Sequence, residues 1–276
     1  VKQARQKQTV LVTGHAGFIG FHTAKALLER GDKVIGFDSL NSHYDTRLKR
    51  ERLVMLDEIA KATGSKYHTV RADLSDSKEL HECLEAYKVQ RVIHLAGQTF
   101  VPEAFRDPAH TLQVNLLGTL NLLQALKRRG FSGTFLYVSS GDVYGQVAEA
   151  DLPVVETLAP QPRNPYAVSK VSAELLCQQW SYTEPWRIIV ARPFNHIGAG
   201  QADSFVVASA ARQICRIRQG LQAPELQVGD IDVTRDFLDV GDVVSAYLAL
   251  LGSRAFTGPA LQSLLPQIVP REQLAQ

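Results

Sequence analysis

Along the first two hundred residues, short apolar runs alternate with longer stretches in which apolar positions recur every three or four residues. "TVLVT" (Thr9–Thr13), "KVIGFD" (Lys33–Asp38), "YHTVRAD" (Tyr67–Asp73), "RVIHLAG" (Arg91–Gly97), "TFLYVSS" (Thr134–Ser140) and "RIIVARPFN" (Arg187–Asn195) predict six strands. They carry apolar residues at successive positions rather than every second one, as strands buried on both faces do. Between them, Ile19, Ala24, Leu27 and Leu28 share a helical face that ends at Gly31, and a charged helix is expected from about Leu48 to Ala60. A long helix is predicted from Pro108 to Arg129, capped by Asp107 and stopped by Gly130. Val168, Val171, Leu175 and Leu176 mark a further helix after Pro165, and "SAYLALL" another near residue 250. Repeated strand–helix units predict a doubly wound α/β fold with a parallel sheet.

Composition adds bounds rather than a fold. The 276 residues are 45% hydrophobic and 21% charged, enough for one large core or two modest ones. A net charge of +2 gives no electrostatic reason to expect a nucleic acid or an anionic membrane as partner. Lys2 to Lys7 read as a solvated basic tail, and no apolar run approaches the roughly 20 residues that span a bilayer. Cys83, Cys177 and Cys215 form no CxxC pair; they are read as small core residues in a reducing, cytoplasmic setting.

Two stretches carry chemistry. "TGHAGFIG" follows the first strand and opens the first helix, with Gly14, Gly17 and Gly20 spaced G-x-x-G-x-x-G. Glycines there let the backbone approach a pyrophosphate, whose charge the helix N-terminus favours. Asp38 ends the second strand, where a carboxylate accepts hydrogen bonds from the adenosine ribose hydroxyls and repels a 2′-phosphate. That favours NAD(H), with NADP(H) as the alternative; a simple loop cap is the other reading of Asp38. The second stretch is "LYVSSGDVYG", which puts Ser139, Ser140, Gly141 and Asp142 at the carboxyl end of the fifth strand, where open α/β sheets bind ligands. Downstream, Tyr166 and Lys170 stand one helical turn apart in "RNPYAVSK".

Together the glycine loop, the acidic second strand, the serine and the Y-x-x-x-K resemble the extended short-chain dehydrogenase/reductases over about residues 9 to 250. The resemblance implies a Ser140–Tyr166–Lys170 catalytic group and a cofactor lying on Gly14, Gly17, Phe18, Ile19, Gly20 and Asp38. It further implies that Asp73 and Leu74 reach the adenine side, Leu95, Ala96 and Gly97 flank the cofactor, and Pro193 approaches the nicotinamide. His94 and His196 are read as structural. A lysine ammonium beside a tyrosine, whose ordinary pKa is about 10, favours the phenolate. Tyr166 can then pass a proton to a carbonyl oxygen held by Ser140, while Lys170 also binds the nicotinamide ribose.

The pattern is a mosaic. "VLVTGHAGFIGFHTAKALLERGDKVIGFDSLNSHYDTRLKRERL" resembles the UDP-glucuronate 4-epimerases. From Arg91 to about Leu251, "HLAGQTFVPEAFRDP", "YVSSGDVYG", "ARPFNHIGAGQADSFV" and "VGDIDVTRDFLDV" resemble the GDP-4-dehydro-6-deoxy-D-mannose reductases. That resemblance implies reduction of a 4-keto group to give GDP-D-rhamnose, with Ser140, Asp142, Asn195 and Arg235 on the nucleotide sugar. For Arg235 an ion pair with Asp236 or Asp239 is the alternative. A nucleotide-sugar 4-epimerase with bound NAD is the second reading, and a chimeric, non-catalytic dinucleotide-binding scaffold the third. A dehydratase ranks lower, because Asp142 has no second carboxylate beside it. Residues 1–185 are expected to form the dinucleotide-binding domain with the Tyr166 helix. Residues 186–276 are expected to interleave the last strand with a smaller, incomplete substrate domain, since "GSRAFTGPALQSLLPQIVPREQLAQ" resembles neither family. A homodimer is expected, with Leu117, Leu120 and Leu123 either supplying its helical interface or, on an equal reading, buried in the monomer.

Overall fold

The computed structural model describes residues 7–41, 45–230, 232 and 234–252. The basic segment before Lys7 and the stretch after Gly252 read above as an incomplete domain lie outside the described residues. The centre is a six-stranded, wholly parallel sheet in the order β3-β2-β1-β4-β5-β6. Its strands are β1 (Thr9–Thr13), β2 (Lys33–Asp38), β3 (Tyr67–Arg71), β4 (Arg91–His94), β5 (Thr134–Val138) and β6 (Arg187–Ala191). Each starts where the pattern predicts. Four stop two to four residues early, because residues 72–73, 95–97, 139–140 and 192–195 leave the sheet at its carboxyl edge.

Consecutive strand residues serve two cores. Val10 and Val12 join Ala24, Leu27, Leu56, Val243 and Tyr247 on one face, under α1 (Phe18–Glu29), α2 (Thr46–Thr63) and α9 (Val240–Gly252). Leu11, Ile35, Phe37 and Phe135 join Leu80, Leu122, Leu126, Ala173 and Cys177 on the other, under α3 (Ser77–Ala86), α6 (Gly118–Arg128) and α7 (Pro165–Thr183). Full burial of each valine, leucine, isoleucine or phenylalanine among them contributes about 1.5–3 kcal/mol. The edge strand β3 is the exception, with His68, Thr69 and Arg71 exposed.

The side on which the chain adds successive strands reverses between β1 and β4, which pair in parallel from Val10↔Arg91 to Thr13↔His94. This is the switch point that opens a crevice at the carboxyl edge.

Several expectations change. The segment from Pro108 to Arg129 is helical but not uniformly so: α5 (Pro108–Leu112) and α6 are joined by a π turn at Gln113–Leu117. Asp107 does cap it, accepting from the His110 amide at 2.9 Å. Helix α3 was not foreseen, although Asp76 caps it by accepting from the Lys78 and Glu79 amides. The short α4 (Val101–Arg106) was also missed. Cys215 is exposed on α8 (Val206–Arg218), a helix with no buried residue, so it is not a core cysteine as Cys83 and Cys177 are. Of the two readings for Leu123, burial in the monomer holds: it is fully buried and cannot face a partner. A small parallel sheet of β7 (Asn195–Ile197) and β8 (Phe237–Asp239) stands beside the main one.

Candidate active site

The glycine loop is a cradle with no room for side chains. Gly14 has φ +72°, and a Cβ on it would stand 2.9 Å from the Ala96 nitrogen. A Cβ on Gly20 would stand 2.0 Å from the Gly14 carbonyl oxygen, so α1 packs directly on the turn that precedes it. Gly17 caps α1 through its backbone alone, with no side-chain cap hydrogen bond. Phe18 and Ile19 therefore open the helix at an end whose amides and dipole favour an anion. The cradle fits a dinucleotide pyrophosphate.

Asp38 is buried at the end of β2 and does act as a cap. Its carboxylate accepts from the Leu40 amide at 2.8 Å and the Ala16 amide at 3.2 Å. It also faces the Lys49 ammonium at 3.6 Å. The cap leaves acceptor capacity free on Asp38, since a carboxylate offers about four acceptor positions. Asp73 is exposed after β3 and closes a turn by accepting from the Ser75 amide and hydroxyl. Leu74 points into the core against Gly118 rather than outward. The Leu95 and Ala96 amides both donate to the Thr13 hydroxyl at 3.1 Å, which fixes the chain leaving β4.

Tyr166 and Lys170 lie on the inner face of α7, both buried. Asn164 caps the helix by accepting from the Ala167 amide at 2.7 Å. The Lys170 ammonium donates to the Val138 carbonyl at 2.9 Å. It lies 5.9 Å from the Tyr166 ring centroid and 5.2 Å from that of Tyr137. A Cβ on Gly97 would come within 3.6 Å of it, which places the ammonium beside the strand end that flanks the crevice. Burial lowers the Lys170 pKa to about 8, against an upward pull from Glu174.

Ser140 caps a single 3₁₀ turn, Gly141–Tyr144, and its Oγ accepts from the Asp142 amide at 3.2 Å. Two backbone bonds of 2.7 Å, Ser139 N–H to the Ala191 carbonyl and Gly141 N–H to the Pro193 carbonyl, tie this loop to the end of β6. Asn195 pairs with Phe237 in the β7–β8 sheet, and its amide donates to the Asp236 carbonyl at 3.3 Å, next in the chain to Arg235. Arg235 is exposed and, among the described residues, makes no ion pair, so the alternative reading for it fails.

A sequence profile of the family described as GDP-mannose 4,6 dehydratase matches residues 11–257. The chain belongs to that family. It is 79% identical over 160 residues to a GDP-6-deoxy-D-mannose reductase of Pseudomonas aeruginosa, covering 58% of this chain and 53% of the reductase. It is 34% identical over 243 residues to a UDP-glucuronate 4-epimerase of Thermodesulfobacterium geofontis, covering 87% of this chain and 71% of the epimerase. Among solved structures it is similar to RMD from Pseudomonas aeruginosa complexed with NADPH, at TM-score 0.72 and 57% identity over 89% of this chain and 72% of that one. The chain thus spans about half the length of the reductase it matches.

In this GDP-mannose 4,6-dehydratase family member, several site residues were not legible in advance. Asn115 sits in the π turn; its side chain accepts from the Gln98 amide at 2.8 Å and donates to the Gln98 carbonyl at 3.0 Å and the Ser169 hydroxyl at 2.8 Å. It ties the strand-end loop after β4 to α7 beside Lys170. The π turn is what aims it, and the helical period gives no sign of one. Arg52 of α2 donates to the Ala16 and Gly200 carbonyls and so braces the glycine loop from behind. A cation in the second turn of a charged helix looks solvated in sequence. His94 is structural, as expected: its ring bridges the Thr13 and Thr119 hydroxyls, and burial lowers its pKa to about 3.

Proposed function

We propose that this chain is an NAD(P)H-dependent reductase of the 4-keto group of a GDP-linked 6-deoxyhexose. What supports the reading is the 79% identity to a GDP-6-deoxy-D-mannose reductase, together with a Lys170 ammonium, one turn from Tyr166 on α7, that reaches the Val138 carbonyl two residues before Ser140. The bound dinucleotide would supply the hydride. The chain's own groups handle position and proton: the glycine cradle and α1 N-terminus hold the pyrophosphate, and Asp38 takes the ribose hydroxyls. Ser140 holds the carbonyl oxygen, Tyr166 delivers the proton to it, and Lys170 keeps the phenol acidic enough to do so. Asp142, Asn195 and Arg235 line the sugar-nucleotide side, with Arg235 suited to a phosphate. We place residues 1–185 in the dinucleotide-binding part and assign nucleotide-sugar recognition to residues 186 onward. The three free cysteines fit a reducing cytoplasm.

A dehydratase would need a second acid or base beside Asp142. Position 141 cannot supply one here, because a Cβ on Gly141 would stand 2.7 Å from the Phe194 ring. The second reading is a 4-epimerase, favoured by relatives such as the UDP-glucuronate 4-epimerase that match most of the chain.

The test is absorbance of reduced nicotinamide on mixing the protein, NADH or NADPH, and GDP-4-keto-6-deoxyhexose. Stoichiometric loss supports the reductase; interconversion of a UDP-sugar with no net loss favours the epimerase; neither leaves only the scaffold. Arg235→Ala is expected to weaken GDP binding by about 1.5–3 kcal/mol, the scale of a hydrogen bond to a charged group, with dinucleotide binding unchanged. Calorimetry measures both, and a wild type that prefers UDP to GDP reverses the ranking.

We also propose a homodimer. Val168 and Leu175 are 41% and 60% exposed on the outer face of α7, and Leu117 is 49% exposed on the adjoining π turn. The occupant is a second copy through the same helices. Sedimentation at micromolar concentration is expected to show a dimer, and a monomer alone removes it.

A further inference from the structure

Arg192 follows β6 and immediately precedes Pro193, between the two backbone bonds that tie this segment to the serine loop. Its guanidinium reaches three places at once. Nε lies 3.0 and 3.1 Å from the two Glu174 carboxylate oxygens, and Nη2 lies 2.6 Å from one of them. Nη1 donates to the Tyr144 hydroxyl at 3.1 Å and the Glu156 carbonyl at 3.2 Å. The guanidinium carbon stands 5.0 Å above the Tyr144 ring, and Tyr144 ends the 3₁₀ turn that Ser140 caps. Glu174 lies on α7 one helical turn beyond Lys170 and two beyond Tyr166. Its side chain is 7% exposed and that of Arg192 12%.

A buried ion pair is a weak source of stability, since desolvation offsets most of the attraction. What this pair does is geometric and electrostatic. We propose that the Arg192–Glu174 pair is the positioning clamp of the site: it locks the Tyr166–Lys170 helix to the Ser140 loop, and it fixes the Glu174 carboxylate as the counter-charge of Lys170. The proposal deepens the oxidoreductase reading of the same site and rests on it for its catalytic meaning.

The groups around Lys170 single out that carboxylate. From β4 comes His94, held neutral by burial with a pKa near 3. From β5 comes Tyr137, whose phenol burial raises well above its ordinary value. From α7 come Tyr166, Cys177, whose thiol burial also raises, and Glu174. Behind Glu174 stand Arg192 and Tyr144. Glu174 is the anion of this set among the described residues, and Arg192 shares its charge. Removing Glu174 should make the Lys170 ammonium easier to deprotonate, and removing Arg192 should make it harder. A purely structural role predicts neither sign.

The experiment titrates Lys170 in the full chain by NMR with ¹³Cε-labelled lysine, the resonance being assigned by its loss in Lys170→Met. No sugar is needed, so the result is independent of whether the substrate reading holds. Wild type is expected to titrate near pH 8. Glu174→Gln, which keeps an acceptor oxygen for Arg192, should titrate about one pH unit lower, the scale of one close opposite charge. Arg192→Gln should titrate higher, and Arg192→Lys should return close to wild type. The alkaline limb of kcat on the proposed ketosugar should move with these midpoints while its KM stays put. Midpoints that do not move, or that move the same way in both variants, overturn the proposal. If Glu174→Gln does not fold, the upward shift in Arg192→Gln decides it. Shifted midpoints in a wild type without reductase activity leave the clamp standing and remove the substrate reading.

Discussion

Tyr166→Phe is expected to cut turnover by roughly 10²–10⁴, the usual contribution of a positioned general acid, with dinucleotide affinity close to wild type. The phenol sits in the first turn of α7, while the cradle that holds the pyrophosphate is built from backbone at Gly14 to Gly20. Loss of the hydroxyl removes a proton donor and nothing of the cradle. Lys170→Met is expected to lower both, because its ammonium lies near Tyr166 and also beside Gly97, where the crevice passes. The ammonium is the working form, and burial lowers its pKa to about 8, so wild-type turnover should decline as pH rises through that value. Single-turnover rates and fluorescence titration with NADH separate the two effects. Full activity in Tyr166→Phe would move the proton donor elsewhere.

Gly20→Ala is expected to abolish measurable dinucleotide binding and to destabilise the fold by roughly 1–3 kcal/mol, the usual cost of overpacking. The added methyl would sit 2.0 Å from the Gly14 carbonyl oxygen and 2.8 Å from the His15 Cα, both backbone atoms. Backbone cannot swing aside as a long side chain can, so α1 must lift away from the turn and carry its N-terminus off the pyrophosphate. The control is Gly229→Ala, where nothing lies within 4 Å of the added methyl and both quantities should stay at wild type. Denaturant unfolding and calorimetry with NADH read the two variants. Normal cofactor binding by Gly20→Ala would show that α1 and its turn do not act as one rigid cradle.

The sequence by itself determined the parallel sheet, the glycine cradle and the Tyr–Lys pair. These are local facts. A strand buried on both faces must be apolar at successive positions, as Val10, Leu11 and Val12 are, each feeding one of two cores. A turn with φ +72° packed against Ala96 must be glycine. Tyrosine and lysine at i and i+4 must share a helical face.

Only the tertiary structure decided which face that is. The apolar period on α7 points to Val168 and Leu175, yet both are exposed, while Ser169, Lys170 and Glu174 are buried. The inner face can hold them because partners arrive from elsewhere in the chain: Asn115 for Ser169, the Val138 carbonyl for Lys170 and Arg192 for Glu174. Those partners lie 54, 32 and 18 residues away, and no window of sequence contains the pairings. The same holds for Gly141: its place after the fifth strand is legible in sequence, but the reason for a glycine there shows only when Phe194 is seen stacked on Tyr144 and filling the space beside it. Periodicity reports how apolar a face is. Whether a polar group can be buried depends on a hydrogen-bonding partner being brought to it, and that is settled only when distant segments fold together.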